Sequence, residues 1–250
     1  MAFWIRQDQF EVLERDVGIA ELQRDVIRRL GERSPGCFAI VPERAIAAVA
    51  RLGATRAARH GLTRLGPVRL FVEMMILFGC AFDDDPLFPW AGAALAEAHP
   101  TQTTKADRLH DAMMEYLRAT AGIDQQRTLA AMRRFEPIAT RALSMDVAPE
   151  AIHAVLLQET RALFPERLAY LGPEGEAKAA HAWAALAEAR GITGGGAVVH
   201  ALLACLLGHG FVEDPLFAWA DTRLRGGDVQ AIVSEAGLYC ERVLRFMHEE

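Results

Sequence analysis

Phe78–Ala91 reads FGCAFDDDPLFPWA, and Leu207–Ala220 reads LGHGFVEDPLFAWA. The second stretch lies 129 residues after the first, without a gap, from Asp85 to Asp214 and from Trp90 to Trp219. Eight of the fourteen positions are identical: Gly79, Phe82, Asp85, Pro86, Leu87, Phe88, Trp90 and Ala91 recur as Gly208, Phe211, Asp214, Pro215, Leu216, Phe217, Trp219 and Ala220. A match of this density marks an internal duplication, and a repeated unit constrains architecture before any single residue does.

The correspondence extends outward. His60-Gly61-Leu62-Thr63 matches Arg190-Gly191-Ile192-Thr193 with one residue of slippage, and Pro42-Glu43 matches Pro173-Glu174, each pair opening an Ala-rich run. The units span roughly 10–121 and 140–248, joined by a connector helix, within one domain covering residues 1–250. Two similar halves related by a pseudo-twofold axis are expected.

Periodicity and punctuation predict helices throughout. Asp8 with Glu11 forms a capping box ahead of a helix from Gln9. Ser34-Pro35-Gly36 is a turn, and Pro42 opens Glu43–His60. Val68–Phe78 and Ala197–Leu207 are apolar on nearly every side, which suits helices at the centre of a fold. Asp85-Pro86 and Asp214-Pro215 read as N-cap plus first helical residue. Further helices are expected over Thr104–Ala121, Pro149–Leu163, Glu174–Arg190 and Val229–His248. Asp124 would cap the connector, which Pro137 should break or kink. Gly194-Gly195-Gly196 reads as a flexible link. No segment alternates as a strand would, so the prediction is an all-α bundle of about ten helices.

Bulk properties narrow the function. The chain has 250 residues and a net charge of −6 with mixed signs, which disfavours a nucleic-acid binder. The N-terminal residues lack the basic and apolar regions of a signal peptide, and both long apolar stretches are too short to span a bilayer. Cys37, Cys80, Cys205 and Cys240 form no C-x-x-C pair, consistent with core thiols in a reducing cytoplasm.

Reactive chemistry is thinly represented. Asp83-Asp84-Asp85 offers carboxylates to a hard cation such as Mg²⁺. Only the last two acids recur, as Glu213 and Asp214. Helix capping by Asp85 and Asp214 accounts for that pattern better, with Asp84 and Glu213 favouring the positive helix end. His200, Cys205 and His209 lie close in sequence and include a zinc-compatible spacing, but the first copy has Phe71, Ile76 and Cys80 there. No G-x-S-x-G or H-E-x-x-H motif occurs. No cofactor is expected, and the chain reads as non-enzymatic.

The duplicated aromatics Phe88 and Trp90, with Phe217 and Trp219, are the candidate partner-binding residues. Residues two apart diverge by about 200° on a helix, so both rings of a pair cannot face fully inward. Either some of this surface anchors a partner, or the rings fill the space between the repeats.

FPERLAYLG (Phe164–Gly172), ARGIT (Ala189–Thr193), the central apolar helix and FVEDPLFAWA (Phe211–Ala220) resemble a family of bacterial helical proteins encoded beside type VI secretion effectors, including PAAR and Rhs-type toxins. The first copy carries the same pattern as HGLT and FDDDPLFPWA. The resemblance covers most of each repeat and brings no catalytic residues with it. It implies a chaperone, loading adaptor or immunity protein whose partner is a toxin or PAAR-containing effector. The rivals are a small-ligand binder using apolar space between the halves and a metal-dependent enzyme at the acidic loops.

Overall fold

A computed structural model describes residues 7–33 and 40–249, with side chains over 18–32 and 40–247. The capping box at Asp8, the turn at Ser34-Pro35-Gly36 and Cys37 lie outside the described side chains. Eleven α-helices are present and no strand occurs among the described residues. They are α1 (Gln7–Arg33), α2 (Glu43–Arg59), α3 (Leu65–Phe78), α4 (Pro89–Ala96), α5 (Gln102–Thr120) and α6 (Gln126–Leu143), followed by α7 (Ile152–Leu163), α8 (Pro165–Ala189), α9 (Gly194–Leu207), α10 (Ala218–Arg225) and α11 (Val229–Glu249). The protein is all-α.

The apolar helices occupy the interior, but unequally. In α9, 11 of 14 residues are buried, including Val198, Leu202, Leu203 and Leu207. In α3, 7 of 14 are buried, and Leu77 is 49% exposed. Helix α9 packs against α6, α7 and α8, while α3 packs against α1, α2 and α5. Each fully buried Leu or Val contributes about 1.5–3 kcal/mol, so these two helices anchor the core of their surroundings.

Four local expectations need correction. Helix α4 begins at Pro89, not at Pro86, because residues 85–88 form a separate turn closed by Phe88 N–H donating to the Asp85 carbonyl at 2.9 Å. The connector is not capped by Asp124: Asp124 and Gln125 both adopt left-handed backbone, at φ 48° and 57°, ahead of α6. Helix α6 runs through Pro137 as one helix, and its Phe135, Ile138 and Ala139 are buried where α6 meets α9 and α11. The missing proline N–H costs one ladder bond, and packing on both sides retains the helix.

Gly194-Gly195-Gly196 is not a link but the first turn of α9. A Cβ at Gly195 would lie 2.3 Å from the Ala142 carbonyl oxygen, so the glycine permits α9 to touch the end of α6. Residues 165–171, which lie between the helices expected over Pro149–Leu163 and Glu174–Arg190, are helical, and α8 continues past a break at Gly172. Buried carboxylates then clamp neighbouring helices: Glu159 of α7 pairs with Arg141 of α6, and Glu176 of α8 pairs with Arg161 of α7.

Candidate functional site

The duplicated stretches meet. Helices α3 and α9 each end at a glycine, Gly79 and Gly208, with φ of 99° and 97°. A Cβ on Gly79 would lie 2.7 Å from the Leu207 carbonyl oxygen. One on Gly208 would lie 2.5 Å from the Phe78 carbonyl oxygen. The two chains therefore pass backbone to backbone, and the positive φ values independently demand glycine.

Asp85 and Asp214 fasten this crossing reciprocally. Asp85 accepts Leu87 N–H at 2.8 Å with one carboxylate oxygen and His209 N–H at 2.8 Å with the other. Asp214 accepts Leu216 N–H at 2.9 Å and Cys80 N–H at 2.8 Å in the same manner. Each aspartate thus caps its own turn and satisfies an amide of the other copy. Asp214 is the N-cap of a short 3₁₀ turn, Pro215–Phe217, that leads into α10. Burial raises both carboxyl pKa values, Asp85 to about 7 and Asp214 to about 6, against the pull of the amides that hold them.

The remaining acids of the loops are also engaged. Asp83 is buried and accepts from Arg56 at 2.7 Å and from His60 Nε2 at 2.8 Å. Asp84 is exposed and takes the same Arg56 at 2.7 Å. In the second copy Val212 replaces Asp83, and Glu213 pairs with Arg190 at 2.6 Å. No group of three or more His, Cys, Asp or Glu side chains arranged to hold a metal ion occurs among the described residues.

His200 takes the place of Phe71. It packs at a tilt against Phe211, at 5.2 Å between centroids, as Phe71 does against Phe82 at 4.8 Å. Both His200 ring nitrogens are buried without a hydrogen-bond partner, and burial lowers its pKa to about 4. Neutral His200 therefore acts as an aromatic core residue. Burial raises the pKa of the Cys80, Cys205 and Cys240 thiols, which suppresses nucleophilic thiolate.

The aromatic candidates divide. Phe88 and Phe217 are buried, so neither can anchor a partner. Phe88 sits among Phe78, Trp90 and Tyr116, and Phe217 packs edge-on against Tyr239. Their helices start three residues later than a cap at the aspartate implies, which turns these rings inward. Trp90 is half-buried on Phe78 and Tyr116, and Tyr116 also meets Tyr170 of α8, so this cluster fills space between the two copies. Trp219 is half-buried as well, but it lines a surface cleft of about 320 Å³ with Leu216, Leu238 and Val41. Leu238 is 48% exposed there.

A larger cavity of about 570 Å³ opens beside the crossing, where Gly79 and Leu207 reach its wall. Its apolar lining includes Leu30, Ile76, Leu77, Met132, Leu206 and Phe246, drawn from five helices. Arg167 reaches it from α8. Sequence reasoning named neither this set nor Arg167. The available signal was Arg167 itself, three residues after Phe164 and so on the same face of a helix. Comparison with protein-family models, curated proteins and solved structures finds no match.

Proposed function

We propose that this is a non-enzymatic interaction protein, an accessory factor for a secreted toxin of a type VI secretion system, with a toxin or PAAR-containing effector as its partner. The observation that supports it is the Trp219 cleft. Trp219 and Leu238 form a partly exposed apolar pair, and Trp ranks among the commonest anchors of protein interfaces. The cleft sets Arg44, Glu235 and Arg242 beside that apolar pair, so it suits a chaperone or adaptor that shelters a partner segment and an immunity protein that presents charge to a toxin site alike. The charged groups of the acidic loops are committed to caps and ion pairs, so they favour a holding role over catalysis. No helix among the described residues is long and apolar enough to cross a membrane. Action in the cytoplasm, before the partner is exported, fits this reading.

The test is co-expression of a tagged copy with the genes beside it, followed by pull-down. A near-stoichiometric toxin or PAAR protein should be recovered with the parent and lost with Trp219→Ala plus Leu238→Glu, two changes at partly exposed positions. Retention of the partner by that variant, with an unaltered melt, rejects the cleft. Recovery of no partner rejects the accessory role itself.

A further inference from the structure

The cavity beside the crossing carries a charge that its walls do not cancel. Three ionised side chains line it: Arg29, Glu73 and Arg167. Arg29 is held by Asp25 at 3.3 Å, and Glu73 by Arg69 at 3.7 Å. Arg167 has no carboxylate within salt-bridge distance among the described residues. Its guanidinium lies 3.9 Å over the Phe164 ring, and one N–H donates to the Cys205 carbonyl at 2.8 Å. Stacking fixes the plane of the group, and a guanidinium has about five N–H donors in a flat fork. Most of that fork is left without a protein acceptor.

The surrounding surface is mostly apolar, with Gln125, Thr128 and Tyr239 as its neutral polar side chains. Leu30, Ile76, Leu77, Leu206, Phe246 and Met247 offer contact but no hydrogen bonds from their side chains. The volume, about 570 Å³, falls in the range of small-molecule sites, roughly 300–1,000 Å³. One unpaired cation at an apolar chamber selects a single negative charge on an apolar body. Arg29 also lines the cavity and shares the single carboxylate of Asp25 with Arg28 and Arg69, so the choice of acid rests on the shape of the Arg167 fork. A planar carboxylate matches the fork in two parallel hydrogen bonds.

We propose that this cavity is a binding site for a small organic acid with an apolar body and one carboxylate, received by Arg167. It shares Ile40, Val41 and Tyr239 with the Trp219 cleft, but Arg167 lines the cavity alone and Trp219 and Leu238 line the cleft alone, so the partner experiment can fail while this site holds.

Octanoate, octanol and octylamine, titrated into the full chain by calorimetry, test it. Octanoate is expected to bind at one site at least about tenfold more tightly than octanol, with octylamine weaker still, in line with the worth of a charge-assisted pair. Arg167→Met should bring octanoate down to the affinity of octanol and leave octanol unchanged. Leu77→Trp, at an exposed position on the cavity wall, should weaken both without altering the melt, which keeps the test open if Arg167→Met folds poorly. Equal binding of octanoate and octanol by the parent overturns the carboxylate assignment. Octanoate binding untouched by either variant places the acid elsewhere, and absence of binding by both probes removes the site.

Discussion

The two copies of the duplicated loop solve one problem with different residues. In the first, a buried carboxylate, Asp83, pairs with Arg56 of α2 and hydrogen-bonds His60 at the end of that helix. In the second, Val212 fills the equivalent place, and the loop keeps the outer ion pair, between Arg190 and Glu213. Phe71 against Phe82 becomes His200 against Phe211. What does not differ is the glycine ending the apolar helix and the aspartate reaching across. The comparison separates a joint that tolerates no exchange from a loop body that accepts either a paired charge or a plain hydrocarbon. Buried ion pairs often contribute little net stability over apolar replacements, which is why the second copy can discard one.

Three sets of substitutions would break or sharpen this contrast. The largest effect is expected at the joint's backbone. Gly208→Ala places a methyl 2.5 Å from the Phe78 carbonyl at φ 97°. It should cost about 3 kcal/mol or more in urea denaturation. A loss below about 1 kcal/mol would mean that the crossing can open without consequence.

The next concerns the fasteners. Asp85→Ala and Asp214→Ala each remove a cap and orphan an amide in the other copy, so each should cost about 2 kcal/mol. Because both act on one crossing, the double variant should lose less than the sum by about 0.5 kcal/mol or more. Strict additivity would show two independent ties and would dismiss the joint as a unit.

The smallest effect swaps a first-copy residue into the second. His200 has a folded pKa of about 4 against an ordinary value of 6.5. The unfolded chain binds a proton that the native state refuses, so stability is present above about pH 6.5 and lost as pH falls towards 4. Asp85 and Asp214 act in the opposite sense. Their raised pKa values favour the native state at low pH, and that contribution is lost as pH rises towards about 7. His200→Phe leaves those two groups in place. Between pH 7.5 and 5.5 it should spare about 1 kcal/mol of the stability that the parent loses. Parallel pH profiles for parent and variant would show that His200 gains a proton in the folded state.

Helix content and the two apolar helices were legible in the sequence, since Ala- and Leu-rich periodicity and the glycine after Phe78 and Leu207 are local signals. The aspartate caps were legible in part. The near oxygen of Asp85 follows from the Asp-Pro pair, whereas the far oxygen reaches His209, a partner that no local pattern announces. Gly195 misled for a related reason: three glycines in a row suggest flexibility, and only the position of the Ala142 carbonyl reveals a tight helix contact. For Phe88 and Phe217 the sequence left a partner surface and a packing role both open, and a three-residue delay in helix start, which no local pattern announces, decides for packing. The cavity was beyond reach, because its wall gathers residues from Leu30 to Met247.

The reciprocal hydrogen bonds also set an order of events in synthesis. The Cys80 amide finds its carboxylate 134 residues later, and the His209 amide finds its own 124 residues earlier. While the ribosome is still reading the second copy, the first loop exposes an unanswered N–H and a carboxylate oxygen with nothing to hold. The first half of the nascent chain can therefore wind its helices early but cannot close. Completion waits for Asp214 to leave the exit tunnel, and a truncated chain ending before it should be a ready substrate for holding chaperones.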